Sequence, residues 1–161
     1  MNKFKISILL FSVFLGSFIY GQTISVSNIN EYNEAIEKVS NGGTIILKNG
    51  IWKDVELQAY GNGSEENPII IQAETPGQVI ISGNSNLSIY GTHVIVSGLW
   101  FKDGYTSKSY VVQFRKNSKE LAYNCRFTNS TISYFGISDD IDNTKWVSLY
   151  GKNNRVDHNN F

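Results

Sequence analysis

The sequence predicts an all-β protein, a solenoid in the form of a parallel β-helix with an N-terminal capping helix. Three stretches share a pattern of an apolar residue, any residue, a polar residue or Gly, two further residues and Phe; they are Val96–Phe101, Ala122–Phe127 and Val156–Phe161. Short apolar strands recur about every ten residues, with Gly, Asn or Asp between them. That spacing alone also fits a sandwich or a barrel. The imperfect repeat and the many Asn residues at turns favour a solenoid, in which each winding buries its apolar residues against its neighbours.

The first 21 residues are predicted to be a secretory signal peptide. Lys3 and Lys5 form a positive segment, the stretch Ile6–Ile19 is largely apolar, and Gly21 offers a small residue near a cleavage point. The apolar run is too short for a membrane span and no stop-transfer segment follows it. We therefore expect a secreted or periplasmic protein whose domain covers residues 22–161, with no membrane partner after cleavage.

The capping helix is predicted over Asn28–Val39. Asn28 is a favourable N-cap, and Glu31 stands three residues later, as in a capping box. The Gly42–Gly43 pair ends the helix, because Gly tolerates the left-handed conformation found there. One apolar face is expected to cover the first winding of the solenoid; it comprises Ile29, Tyr32, Ala35, Ile36 and Val39.

Everything after Gly43 is predicted to be short strands and turns. The predicted strands are Thr44–Lys48, Trp52–Gln58, Ile69–Ile71, Val79–Ile81, Leu87–Tyr90, His93–Phe101, Tyr110–Phe114, Leu121–Phe127, Ile132–Ile137 and Trp146–Tyr150. The segment Tyr60–Asn67 is predicted to be a polar loop.

Composition narrows the functional classes. The chain has 14 basic and 14 acidic residues, so it lacks the basic footprint of a nucleic-acid-binding protein. A near-neutral total still allows a local basic groove for an acidic polymer, because steering depends on how charge is distributed. The single cysteine, Cys125, excludes an internal disulfide and is expected to be a buried core residue.

Several blocks, in their order and spacing, resemble polysaccharide lyase family 6, which contains alginate lyases and chondroitinase-B-type enzymes. These blocks are Asn41–Leu47, Gly50–Trp52, Asn67–Ile69, Ile81–Gly83, Val96–Phe101, Asn124–Phe127, Lys145–Gly151 and Asn154–Phe161. The resemblance implies a right-handed parallel β-helix that cleaves an acidic, uronate-containing polysaccharide, above all alginate, by β-elimination. It also implies a Ca²⁺ ion on the uronate carboxylate, a Lys as base and an Arg at the leaving oxygen.

The residues that carry this chemistry in the family correspond to positions beyond Phe161. No Glu occurs after Glu120, so the family's Glu ligands have no counterpart in the last quarter of the chain. We therefore expect no catalytic and no metal-binding residue within this chain, which resembles the N-terminal portion of the family. Calcium is expected for the full-length protein, with its ligands outside this chain.

The candidate substrate-binding residues are Lys145, Trp146 and Tyr150. In an extended strand Trp146 and Tyr150 would point outward and could stack on sugar rings, whereas Val147 and Leu149 would point inward. The alternative is that these aromatic side chains pack under a loop or against a neighbouring winding.

Two other polar features have simpler explanations than a site. The segment Asp139–Asn143 is acidic but does not have the spacing of an EF-hand loop, and it is interpreted as a solvated turn. His158 is interpreted as a turn residue. A β-helical glycoside hydrolase, a pectate-type lyase and a non-catalytic β-helical surface or adhesion protein remain as alternatives. Hydrolysis would require paired carboxylates at the scissile bond.

Overall fold

The structure is a computed structural model that describes residues 21–137 and 145–161. The proposed signal peptide, apart from Gly21, and the acidic segment Asp139–Asn143 lie outside the described residues. The described residues form the helix α1 (Ile29–Lys38) and, in chain order, the strands β1 (Gln22–Val26), β2 (Gly43–Leu47), β3 (Gly50–Lys53), β4 (Glu56–Asn62), β5 (Ile69–Ala73), β6 (Val79–Asn84), β7 (Asn86–Thr92), β8 (Val94–Ser97), β9 (Leu99–Thr106), β10 (Tyr110–Gln113), β11 (Ala122–Tyr123), β12 (Arg126–Thr128), β13 (Thr131–Ile132), β14 (Phe135–Ile137), β15 (Lys145–Ser148), β16 (Gly151–Lys152) and β17 (Arg155–Asp157).

The strands form three parallel sheets that the chain visits in turn. Sheet 1 has the order β1-β2-β5-β8-β12-β17, sheet 2 has the order β13-β9-β6-β3 with β14 beside β9, and sheet 3 has the order β15-β10-β7-β11-β16 with β4 beside β7. Each winding pairs in register with the one before it, as in the column Ile45, Ile71, Val96, Phe127 and Val156 of sheet 1. The predicted parallel β-helix is therefore confirmed.

The shared sequence pattern gives Phe101, Phe127 and Phe161 equivalent positions in successive windings, and this alignment is wrong at Phe127. Phe101 lies in sheet 2 and pairs with Ile81 and Ile132, whereas Phe127 lies in sheet 1 and pairs with Val96 and Val156. The two Phe rings meet edge to face inside the core, with centroids 6.4 Å apart. They are neighbours across the core and not members of one column.

The second copy of the repeat in fact begins at Phe127, one corner of the winding after Ala122. Val96–Phe101, Phe127–Ile132 and Val156–Phe161 occupy equivalent positions, because Val96, Phe127 and Val156 share a column. The third residue of each copy has a positive φ: 81° at Gly98, 50° at Asn129 and 54° at His158. His158 is thus a corner residue, as the sequence indicated, in the same place as Gly98.

Left-handed residues also divide four segments that were predicted to be single strands. Three breaks fall at Asp54, at Gly98 and at Asn124, with φ values of 56°, 81° and 55°, and there the chain turns from one sheet to the next. The fourth falls at Tyr134, with a φ of 50°, and separates β13 from β14 within sheet 2. The segment Tyr60–Asn62, predicted to be loop, is the end of β4, because it pairs in register with Tyr90–Thr92.

The capping helix forms as predicted. The Asn28 side chain accepts hydrogen bonds from the N–H groups of Asn30 and Glu31, both at 3.0 Å. The Glu31 carboxylate accepts from the Ser27 N–H at 2.8 Å, one residue earlier than in the standard capping box, and this bond lowers the pKa of Glu31. The buried face of the helix packs against β1, β2 and β4; it comprises Tyr32, Ala35, Ile36 and the C-cap Val39.

Side chains at the corners bond successive windings to one another. The buried Ser130 hydroxyl accepts a hydrogen bond from the Leu99 N–H of the preceding winding at 3.1 Å. The Ser130 N–H in turn donates to Oδ1 of Asn159 in the following winding at 2.9 Å. Cys125 is buried, as expected, and its N–H donates to Oδ1 of Asn154 at 2.9 Å. Within the described part of the chain, no helix is long and apolar enough to cross a membrane.

Candidate functional site

The outer face of sheet 3 carries a row of polar and aromatic side chains. In β4 and β7, Leu57, Ala59, Leu87 and Ile89 are buried in the core, so the alternate residues face outward. Tyr60 and Tyr90 are register partners on this outer face. Their rings stack with centroids 5.0 Å apart and planes 4° apart.

The two hydroxyl groups of this stack are held by neighbouring polar groups. The Tyr90 hydroxyl donates to Oε1 of Gln58 at 2.9 Å, and the Tyr60 hydroxyl donates to the Glu37 carboxylate of the helix. Burial, together with the charges of Glu120 and Glu37, raises the pKa of Tyr90 to about 12. The pKa of Tyr60 is also raised, chiefly by burial and by the bond to Glu37. Both phenols therefore remain neutral donors at physiological pH.

A short excursion of the chain, residues 114–121, lies over this face between β10 and β11. It is closed by an antiparallel bridge between Arg115 and Leu121 and by a hydrogen bond from the Lys116 N–H to the Glu120 carbonyl at 2.8 Å. At its tip the Asn117 side chain accepts from the N–H groups of Lys119 and Glu120 at 2.8 Å and 3.1 Å. These local bonds give the excursion a defined shape, because an Asn side chain in this position mimics a backbone turn.

The excursion places two cations over two of the aromatic rings. The Arg115 guanidinium carbon lies 3.6 Å from the centroid of the Tyr150 ring. The Lys116 ammonium lies 5.7 Å from the centroid of the Tyr90 ring and 3.5 Å from the Glu120 carboxylate. Both are cation–π distances. We call the Arg115 and Tyr150 pair, with the adjoining excursion, the sheet 3 platform.

A surface cleft of about 360 Å³ adjoins the platform; its lining residues include Tyr60, Tyr90, Lys119, Glu120 and Tyr123. Tyr123 is 38% exposed. Hydroxyl groups, aromatic surface and both signs of charge therefore line one concave surface, which suits a polar ligand such as a carbohydrate.

The structure places the three sequence-predicted substrate-binding residues in different surroundings. Lys145 is exposed at the start of β15, where it is the register partner of Tyr110. Tyr150 lies under Arg115 on the outer face of sheet 3. Trp146 stacks on Phe161, with centroids 6.2 Å apart, at the last winding of the described chain. Trp146 and Tyr150 thus do not form one shared aromatic surface.

The exposure of the side chains does not follow the predicted inward and outward directions along this segment. Leu149, expected inside, is 56% exposed, and Ser148, expected outside, is 9% exposed. Trp146, Val147 and Leu149 instead line an open apolar depression of about 450 Å³ together with Val156 and Phe161. No described residue is stacked on the apolar depression. Ser148, in contrast, is covered by Gln113, which is its register partner.

Sequence reasoning missed Arg115, Tyr60 and Tyr90. One signal was present in the sequence, because Tyr60 and Tyr90 are 30 residues apart, close to one winding.

The remaining polar candidates give no site. Within residues 21–137 and 145–161, no group of three or more His, Cys, Asp or Glu side chains is arranged to hold a metal ion. Cys125 is buried and burial raises the pKa of its thiol, so it is not an activated nucleophile.

Comparison with protein families gives a match over most of the chain. The family model described as Chondroitinase B matches residues 26–161. The chain belongs to the chondroitinase B family. This result agrees with the resemblance to polysaccharide lyase family 6 found in the sequence blocks.

Solved structures of that lyase family resemble the chain closely. The alginate lyase AlyGC has a TM-score of 0.81 at 40% identity, over 84% of this chain and 19% of its own. A polysaccharide lyase from Pseudopedobacter saltans has a TM-score of 0.68 at 33% identity, over 83% of this chain and 30% of its own. A mannuronic-acid-specific lyase from human gut microbiota has a TM-score of 0.73 at 26% identity, over 84% of this chain and 33% of its own.

The chain thus spans between about a fifth and a third of the length of these three structures. No curated protein matches the chain.

Proposed function

We propose that the full-length protein is a secreted or periplasmic polysaccharide lyase that cleaves an acidic polysaccharide by calcium-assisted β-elimination. Alginate is the substrate that we expect first. The observation that carries this proposal is the 40% identity to an alginate lyase over 84% of the chain. The proposal includes removal of residues 1–21 as a signal peptide and a domain that begins at residue 22.

The proposal assigns the described residues to binding and support and not to the chemical step. The base, the group at the leaving oxygen and the calcium ligands are assigned to windings that are not part of this chain. Calcium bound there would offset the charge that develops on the uronate carboxylate as its neighbouring proton leaves. The helix and the first windings contribute the stacked scaffold on which such windings can be aligned.

The outer face of sheet 3 is the surface we assign to substrate. Arg115 gives it positive charge beside the aromatic ring of Tyr150, and Lys145 and Lys152 lie in β15 and β16 of the same sheet. An acidic polysaccharide is attracted to such a surface by charge, and Tyr150 contributes by supporting the Arg115 guanidinium on its ring. Trp146 is assigned a weaker role, because one side of its ring is already stacked on Phe161.

Product analysis tests the proposed reaction. The full-length protein is incubated with alginate or dermatan sulfate, with and without a calcium chelator, and ultraviolet absorbance is followed. Elimination produces a conjugated unsaturated uronate, so we expect absorbance to grow on alginate and to stop when calcium is removed. New reducing ends without this absorbance would show hydrolysis instead, and the absence of both would favour a non-catalytic surface or adhesion protein.

A further inference from the structure

We propose that Arg115, supported by the ring of Tyr150, is a carboxylate-binding subsite for one uronate residue of the polysaccharide. This inference rests on the proposed function for the class of ligand, but it concerns binding and not the eliminating step.

The charge of Arg115 has no protein partner among the residues that the structure describes. The chain has three arginines, and two of them, Arg126 and Arg155, donate hydrogen bonds to the carboxylate of Asp157 at 2.7–3.0 Å. Arg115 makes neither a side-chain hydrogen bond nor an ion pair with any described residue, although it is only partly exposed. A partly buried charge without a counter-charge is costly, and an anionic ligand would remove that cost.

The position of the guanidinium on the Tyr150 ring suits a carboxylate ligand. The guanidinium carbon lies 3.6 Å from the ring centroid, so the aromatic ring covers one face of the group. The N–H donors lie in the plane of the guanidinium, and they remain available at its edge for a bidentate bond to a carboxylate. The ring thereby holds the donors in one orientation before the ligand arrives.

The backbone around Arg115 is also held in place. Arg115 is bridged to Leu121, and the preceding residue Phe114 is fully buried and donates its N–H to the Ser148 carbonyl at 2.9 Å. The subsite is therefore carried by sheet 3 itself and not by the exposed tip of the excursion.

Affinity electrophoresis in gels that contain alginate tests the subsite without requiring catalysis. The wild-type full-length protein is compared with Arg115→Lys, which keeps the charge but loses the bidentate fork. The matched control is Arg155→Lys on sheet 1, where the side chain is 66% exposed. We expect about tenfold weaker binding for Arg115→Lys, which corresponds to one charge-assisted hydrogen bond, and unchanged binding for the control.

Two substitutions of the supporting ring give a second test. Tyr150→Phe keeps the ring and is expected to bind as the wild type does, whereas Tyr150→Leu removes it and is expected to weaken binding. Gels with carboxyl-reduced alginate, which is neutral, should show no difference among the variants. Thermal unfolding of each variant identifies any that lose binding because they lose their fold.

The outcomes separate this proposal from the proposed reaction. Equal retention of Arg115→Lys and Arg155→Lys on alginate would overturn the subsite even if the enzyme forms unsaturated products. Selective loss of binding in Arg115→Lys, in a protein that forms no unsaturated product, would support the subsite and reject the lyase reaction. Equal loss on neutral and acidic polymer would also overturn the subsite, because it would show that the carboxylate is not what Arg115 recognises.

Discussion

Replacement of Ser130 by Ala tests how the windings are bonded to one another. The Ser130 hydroxyl accepts from the buried Leu99 N–H at 3.1 Å and donates to the Thr128 carbonyl at 2.9 Å. Ser130 is 2% exposed and Leu99 is 1% exposed, so water cannot replace the lost oxygen without a rearrangement. An unsatisfied buried N–H costs about 1–3 kcal/mol, and we expect the free energy of unfolding to fall by that amount.

Ser133→Ala is the matched control, because it removes the same atom from a neighbouring position. The Ser133 hydroxyl accepts from the indole N–H of Trp100 at 2.8 Å, and both residues are partly exposed. Water can therefore bond to the indole in the variant. We expect a loss below about 1 kcal/mol, within the range for a replaceable hydrogen bond.

Urea unfolding followed by circular dichroism measures both variants, and the slope of the transition shows whether the native state is otherwise unchanged. A difference of 1 kcal/mol corresponds to about 2–4 °C in Tm for a domain of this size, so thermal scans can confirm the order. Our interpretation of the corner bonds would be refuted if Ser130→Ala were as stable as Ser133→Ala.

Four further outcomes are expected. Phe127→Ala should lower the free energy of unfolding by about 3–5 kcal/mol, because the ring is fully buried against Phe101; a loss below 1 kcal/mol in urea unfolding would contradict the described core. The two hydrogen bonds from Arg126 hold the pKa of Asp157 below its usual range; the stability that this carboxylate contributes is present above the unfolded-state pKa of about 3.9 and is lost as the pH falls towards the folded pKa. Wild-type unfolding free energy should therefore decrease below about pH 4 more steeply than that of Asp157→Asn, and parallel profiles would refute this assignment. Cys125 should react with a thiol reagent only in denaturant, since its thiol is buried and burial raises its pKa; rapid labelling of the native protein would contradict its placement. Residues 22–161 produced alone should self-associate through the apolar depression at Leu149 and Phe161, and Leu149→Lys should shift sedimentation toward monomer; a wild-type monomer at all concentrations would disprove this.

The capping helix could be predicted from the sequence because its signals are local. Asn28, Glu31 and the Gly42–Gly43 pair each act within one turn of the helix, and the structure places the boundaries within one residue of the prediction. The position of Cys125 in the core followed in the same way from its place in an apolar strand.

The register of the windings could not be predicted with the same accuracy. The segment Ala122–Phe127 fits the same letter pattern as Val96–Phe101, yet it spans a different corner of the solenoid. Both corners use a left-handed residue, Asn124 in one and Gly98 in the other, so the pattern alone does not distinguish them. Only the pairing of Phe127 with Val96 decides which corner is which.

The candidate site was predicted in part, for a physical reason. Tyr150 was identified from the predicted alternation of its own segment, whereas Arg115 was missed because its role depends on an excursion that brings it over another winding. Trp146 was assigned to the outer face, but its contact with Phe161 comes from the neighbouring winding. Contacts between windings are not contained in the pattern of a single strand.

The most direct test of the proposed reaction is the source of the oxygen in the products. Alginate is cleaved by the full-length protein in water labelled with a heavy oxygen isotope, and the masses of the fragments are measured by mass spectrometry. Elimination breaks the bond without adding water, so, when the reaction is stopped before the reducing ends exchange oxygen with water, we expect unlabelled fragments whose new non-reducing ends are unsaturated. Fragments with saturated non-reducing ends and one labelled oxygen at each new reducing end would contradict the assignment of this protein as a lyase.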